Sequence, residues 1–184
     1  MTLLTIAQRI KNNIVRFLFK NLNNSFRVRT WRKMGVKIGE NCRIHCMSFS
    51  PDSYLIEIGN NVIIAANTKL ITHEGGICVF HHENPKLNLF GRIRIGNNCF
   101  IGMNCLLLPN TTIGNNCVIG AGSVVRGNVP DNSVVFGNPG KVVMKTGLYK
   151  LLIYSNPATY EYIGLSDKER KEILLNRLDN TKKN

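Results

Sequence analysis

Three of the chain's four histidines fall in a single stretch, THEGGICVFHHENPKLNLFGR, which runs from Thr72 to Arg92. His73 stands beside Glu74, His81 and His82 follow as a pair, and His45 is the fourth. Imidazole, with an ordinary pKa of about 6.5, is the side chain best suited to take up a proton at neutral pH. Gathered in threes, histidines are equally the ligands of choice for zinc. Six cysteines widen the choice to disulfides, zinc or a thiol nucleophile. Four of them, Cys42, Cys99, Cys105 and Cys117, recur at a position where small residues repeat, and no Cys-x-x-Cys pair occurs. Packing thiols, kept reduced in a cytosolic setting, account for that spacing.

The elements that must position these side chains are written in a period of six. Between Ile95 and Val125 an aliphatic residue recurs at Ile95, Ile101, Leu107, Ile113, Ile119 and Val125. Glycine follows it at 96, 102, 114 and 120, and a small residue fills the fifth place at Cys99, Cys105, Thr111, Cys117 and Ser123. Six matches neither a helical turn nor simple strand alternation. It predicts short flat strands joined by tight corners, with one side chain pointing inward per strand, stacked as a parallel β-helix. A glycine after the inward residue suits a corner that either needs positive φ or has no room for a Cβ. Asn97–Asn98 and Asn115–Asn116 tolerate the same backbone. The period also fits Ile38, Ile44, Ile58, Ile64 and Leu70, with an irregular stretch around Ser48 to Tyr54. From Leu70 to Ile95 it lapses, and the histidine-rich stretch is what interrupts it. An excursion of that length from a regular coil usually has a function.

The organisation that follows has three parts. Residues 1–33 form a basic helical extension, 34–145 the β-helix with its extended loop at 72–92, and 146–184 a helical C-terminal extension. Leu3, Ile6, Ile10, Ile14, Phe17 and Leu18 fall at helical spacing among basic residues. Such a helix either covers the open end of the coil or lies on an anionic membrane face. Val142–Met144 is expected as a last strand. Ser166 and Glu169 form a capping box ahead of Ile173, Leu174 and Leu175. The chain of 184 residues carries a net charge of +13, and its first 39 residues hold nine basic side chains and no acid. Anionic partners follow from that imbalance: a membrane surface, nucleic acid or phosphorylated small molecules. No apolar run reaches the roughly 20 residues of a spanning helix, and no signal-peptide pattern opens the chain, so a cytoplasmic location is expected.

On the repeats, the Leu70-Ile71-Thr72-His73 exit into a loop, Ile119-Gly120-Ala121-Gly122-Ser123-Val124-Val125 and Gly137-Asn138-Pro139-Gly140-Lys141-Val142, the chain resembles a known family. It is similar to the hexapeptide-repeat O-acetyltransferases of the maltose/galactoside and capsular-polysaccharide type, over about Met34 to Lys145. The resemblance implies an all-β, left-handed parallel β-helix with short helical extensions, assembled as a homotrimer with active sites between neighbouring coils. It implies acetyl-CoA as donor, a sugar or glycan hydroxyl as acceptor, and direct transfer without an acyl-enzyme. By motif, His73 becomes the general base and Glu74 its first-choice carboxylate partner, ahead of Glu57 and Asp52. Met103, Ala121, Gly122, Arg126 and Lys141 fall on the cofactor side; Arg126 stands one position from where the family carries lysine. His45, His81 and His82 become acceptor contacts. No metal is implied, and nucleic acid would call for aromatic residues interleaved with the basic ones. Two enzyme alternatives remain: an N- or O-acetyltransferase of nucleotide amino sugars or antibiotics, and a zinc enzyme like the γ-carbonic anhydrases, whose paired-histidine spacing is absent. A non-enzymatic basic scaffold is the third, and it leaves the Thr-His exit unexplained.

Overall fold

The computed structural model describes residues 23–46, 50–160 and 164–181. The amphipathic stretch at 3–22 lies outside them. The chain divides into two compact units, the first ending at Thr146 and the second beginning at Gly147.

The first described element, α1 (Asn24–Lys33), is N-capped by the Asn23 side chain, which accepts from the Phe26 N–H, and it buries Trp31. Strands of two or three residues follow at the hexapeptide period, with longer ones at the end, and sort into three sheets. Sheet one contains β1 (Lys37–Ile38), β3 (Ile56–Ile58), β6 (Ile93–Ile95), β9 (Thr111–Ile113) and β12 (Asn128–Val129). Sheet two contains β2 (Arg43–Ile44), β4 (Ile63–Ile64), β7 (Phe100–Ile101), β10 (Val118–Ile119), β13 (Ser133–Phe136) and β14 (Lys141–Lys145). Sheet three contains β5 (Lys69–Leu70), β8 (Leu106–Leu107) and β11 (Val124–Val125). Consecutive strands go to different sheets and each strand pairs in parallel with those one coil away, which is the β-helix. The exception is β14, which turns back antiparallel on β13.

The register explains the repeat. Ile38, Ile58, Ile95, Ile113 and Val129 lie side by side in sheet one. Ile44, Ile64, Ile101, Ile119 and Val135 do so in sheet two, and Leu70, Leu107 and Val125 in sheet three. All of them are buried, so the core is three aliphatic stacks about 4.8 Å per step. Each fully buried Ile or Leu contributes about 1.5–3 kcal/mol over an exposed one.

The two explanations offered for glycine separate cleanly. Positive φ belongs to the asparagine two places later, at Asn98, Asn104 and Asn116 (φ 54 to 57°). Glycine after the inward residue is there for space: a Cβ on Gly102 would sit 2.5 Å from the Ala121 nitrogen on the next coil. The small-residue slot also does more than fill volume. Cys99 and Cys105 Sγ donate to the Gly114 and Gly120 carbonyls at 3.1 and 3.2 Å, tying each coil to the one above. Burial pushes the Cys46 thiol up to about 12 and the Cys99 thiol to about 11. Among the six cysteines, Cys78 alone is exposed. Iodoacetamide on the folded chain is therefore expected to modify Cys78 and spare the other five until denaturant is added, as read by peptide mass mapping.

In the second unit, α2 (Thr146–Ser155, its first residue still in the first unit) buries no residue. The expected capping box opens α3 (Asp167–Thr181): Ser166 N–H donates to Glu169 Oε2 at 2.8 Å and Glu169 N–H to Ser166 Oγ at 3.3 Å. Among the described residues, no helix is long and apolar enough to cross a membrane.

Candidate active site

The histidine-rich excursion leaves the coil where sheet three hands over to sheet one. Its two ends are zipped together: Gly91 N–H donates to the Thr72 carbonyl at 2.8 Å, Glu74 N–H donates to the Leu89 carbonyl at 3.0 Å, and His73 bridges Phe90 antiparallel. A 3-10 turn, Gly75–Phe80, follows, capped by the Glu74 side chain. His73 is thereby held on a short extended segment at the coil's edge, not on a loose tip.

Its Nδ1 lies 3.0 Å from Ser50 Oγ and 3.9 Å from Asp52 Oδ2. Ser50 is buried, and the Asp52 side chain is about a quarter exposed (24%). Both come from the irregular stretch one coil below. A carboxylate behind Nδ1 favours the proton there, which leaves Nε2 with a free lone pair. The imidazole opens into a cavity of about 350 Å³ lined by Asp52, Glu74, Cys78, His81, Asn88 and Phe90, among others. A larger cavity of about 670 Å³ lies between α1 and the first coil, beside Arg29, Lys33 and Glu40, and contains none of the expected site residues.

Glu74 is not the partner that the sequence suggested. Glu74 lines the same cavity, but His73 Nδ1 meets Ser50 and Asp52 and not the Glu74 carboxylate. The Glu74 carboxylate instead accepts from Arg126 at 2.8 Å, and that bond, with the Gly76 N–H, holds its carboxyl below the usual carboxylate range. Ser50 carried no motif signal: it sits where the period breaks, and only the fold brings it beneath His73.

The other expected residues divide by corner. Met103, Ala121 and Gly122 come together on adjacent coils between sheets two and three, where Gly122 N–H donates to the Met103 carbonyl at 2.8 Å. Arg126 lies past β11, bound to Glu74. Lys141 opens β14, just after the cis Asn138–Pro139 bond. His81 lines the His73 cavity and donates from Nε2 to the Leu87 carbonyl at 2.9 Å. His82 donates from Nδ1 to the Val79 carbonyl and stands 3.2 Å from Glu83, outside the cavity lining. His45 is also outside that lining, 3.5 Å from Arg27; burial and the neighbouring Arg27 and Arg43 keep it less basic than usual. Among the described residues no three His, Cys, Asp or Glu side chains converge to hold a metal ion.

A family profile described as bacterial transferase hexapeptide (six repeats) matches residues 92–127. Protein CapG of Staphylococcus aureus is 44% identical over 156 residues, which span 83% of this chain and 90% of CapG. The chain belongs to the hexapeptide-repeat acetyltransferases. A galactoside O-acetyltransferase of Escherichia coli K12 is 39% identical over 111 residues, or 59% of this chain and 53% of that protein, so the match spans about half the relative. A solved galactoside acetyltransferase in complex with coenzyme A superposes with a TM-score of 0.57 at 24% identity, over 88% of this chain and 92% of that one. At that identity the likeness speaks to fold, and it accords with the left-handed coil expected above. As a member of the hexapeptide-repeat acetyltransferases the chain is an acyltransferase, built on a left-handed parallel β-helix.

Proposed function

We propose that the chain transfers an acetyl group from acetyl-CoA to a hydroxyl of a cell-envelope polysaccharide sugar or its activated precursor. The observation that carries this reading is the His73 imidazole, fixed through Nδ1 by Ser50 with Asp52 behind it and open to a cavity. In the proposed step, Nε2 takes the hydroxyl proton as the oxygen bonds to the thioester carbonyl carbon. The tetrahedral intermediate expels CoA as its thiolate, and the imidazolium returns the proton to the sulfur. Main-chain N–H groups at the coil edge stabilise the oxyanion. Met103, Ala121 and Gly122 take the pantetheine arm, Arg126 and Lys141 the phosphates, and His81 the acceptor, with His45 and His82 more remote contacts.

The catalytic unit is the 34–145 coil with its loop, working as a homotrimer in the cytoplasm, and the basic N-terminus either caps the coil or meets an anionic membrane face. The relative named a galactoside O-acetyltransferase supports a sugar acceptor. The test is a thiol-release assay with acetyl-CoA and a panel of sugars, oligosaccharides, nucleotide amino sugars and antibiotics. Acetylation of sugar hydroxyls is the expected result, and transfer to amino groups or drugs alone would replace the acceptor class.

Ser50 is a positioning residue in this scheme. Ser50→Ala is expected to lower kcat by about two- to tenfold, in line with the loss of one hydrogen bond of about 0.5–1.5 kcal/mol, while KM for acetyl-CoA holds. A fall in thermal stability with kcat unchanged would assign Ser50 to packing instead.

A further inference from the structure

The outward side of sheet one carries a row of polar side chains that the transfer step does not use. Lys37, Glu57, Arg94, Thr112 and Asn128 stand in register across β1, β3, β6, β9 and β12, about 4.8 Å from one to the next. The matching row on sheet two is largely apolar, with Ile63, Phe100 and Val118 in register.

Three cations converge on the single carboxylate in the polar row. Lys37 Nζ lies 3.1 Å and Arg92 NH1 3.5 Å from Glu57 Oε1, and Arg94 Nε lies 3.3 Å from Oε2. Three positive charges against one negative leave +2 at that spot. The Lys37 hydrogen bond, followed by Arg94, holds the Glu57 carboxyl below its usual range. Glu57 gathers side chains that would otherwise repel one another, so the cluster is assembled before a ligand arrives. Arg94 spends only Nε on Glu57, and no bond to its terminal nitrogens occurs among the described residues. Those two nitrogens form the fork that receives a carboxylate or phosphate side-on. Both arginine side chains are about half exposed, 53% for Arg92 and 51% for Arg94.

The cluster adjoins the reacting centre through the backbone. Phe90 pairs with His73, Gly91 N–H is bonded to the Thr72 carbonyl, and Arg92 is the next residue. At about 3.3 Å per extended residue, the Arg92 backbone lies about 7 Å beyond the bridge that anchors His73. We infer that Arg92 and Arg94, gathered by Glu57 with Lys37, form a subsite for an anionic group on the acceptor whose hydroxyl reacts at His73. The ligand chemistry is a carboxylate or phosphate attached to a sugar. The inference rests on the reading of the acceptor as a sugar and narrows it to charged ones.

Arg92→Gln, Arg94→Gln and the double variant are assayed with acetyl-CoA against a hexuronate oligosaccharide, a hexose 1-phosphate and a neutral oligosaccharide. Each single change is expected to lower the ratio of kcat/KM for anionic over neutral acceptors about tenfold, the scale of one charge-assisted hydrogen bond. Added salt lowers the wild-type ratio as well. A response with the uronate alone identifies a carboxylated glycan, and with the phosphate alone an activated sugar; either supports the subsite. An unchanged ratio in the double variant overturns it. Calorimetric titration of the same two anions into the full chain without acetyl-CoA reads the subsite apart from catalysis. Binding that is lost in the double variant sustains the inference even where no sugar is acetylated, in which case the functional reading alone fails. Absence of binding to the wild-type chain overturns the subsite.

Discussion

Replacing His73 by alanine is expected to lower kcat by about a hundred- to ten-thousand-fold, the usual share of a general base. The loss should appear in kcat and kcat/KM alike, because the proton moves only on the way to the transition state. The side chain is 47% exposed and, among the described residues, its polar contacts are with Ser50 and Asp52, so the coil has little to lose by its removal. Circular dichroism and melting temperature should stay near wild type, which separates chemistry from folding. A turnover within a few-fold of wild type, with the fold intact, would remove His73 from the mechanism. It would also return attention to His81, which shares the cavity.

The second large effect is on stability. Ile101 is fully buried and sits between Ile64 and Ile119 in the sheet-two stack. Ile101→Ala is expected to cost about 2–5 kcal/mol, since a two-residue strand joined at both ends to rigid corners collapses poorly into the cavity. For a chain of this size the melting temperature should fall by roughly 4–20 °C. Ile101→Val, which removes one methylene, should cost about 0.5–1.5 kcal/mol. Lys69→Ala, on an outward position of β5, should stay within about 0.5 kcal/mol. Equal effects at Ile101 and Lys69 would contradict the inward and outward assignment on which the β-helix rests.

Both predictions draw on what was legible in the sequence to different degrees. A six-residue period is written residue by residue, because most hexapeptides repeat the same constraint: one inward aliphatic, one glycine with a backbone passing over it, one small residue in the fifth place. Ile95 to Val125 therefore announced its architecture, and so did the capping box at Ser166. The His73 loop was legible as an interruption, and the proposal of His73 as the base came with the resemblance. Its partner was not legible. Glu74 is nearest in sequence, but its carboxylate is taken by Arg126, while Ser50 arrives from a stretch in which the period fails. Asp52 was the third choice of carboxylate and is the one beside the ring. Within the helical extension expected at 146–184, the bounds of α2 were not legible, because its residues bury nothing and the hydrophobic pattern that usually marks a helix by its inward face has no such face to mark here.

The manner in which the 72–92 excursion leaves and rejoins the coil has an evolutionary consequence. Its stem is closed by backbone bonds at Thr72–Gly91 and Glu74–Leu89, and these do not depend on which side chains lie beyond them. Beyond that stem the insert can lengthen, shorten or change composition without disturbing the aliphatic stacks beneath. Insertion and substitution there can thus reshape the cavity beside His73 without altering the coil or the stem that holds the imidazole.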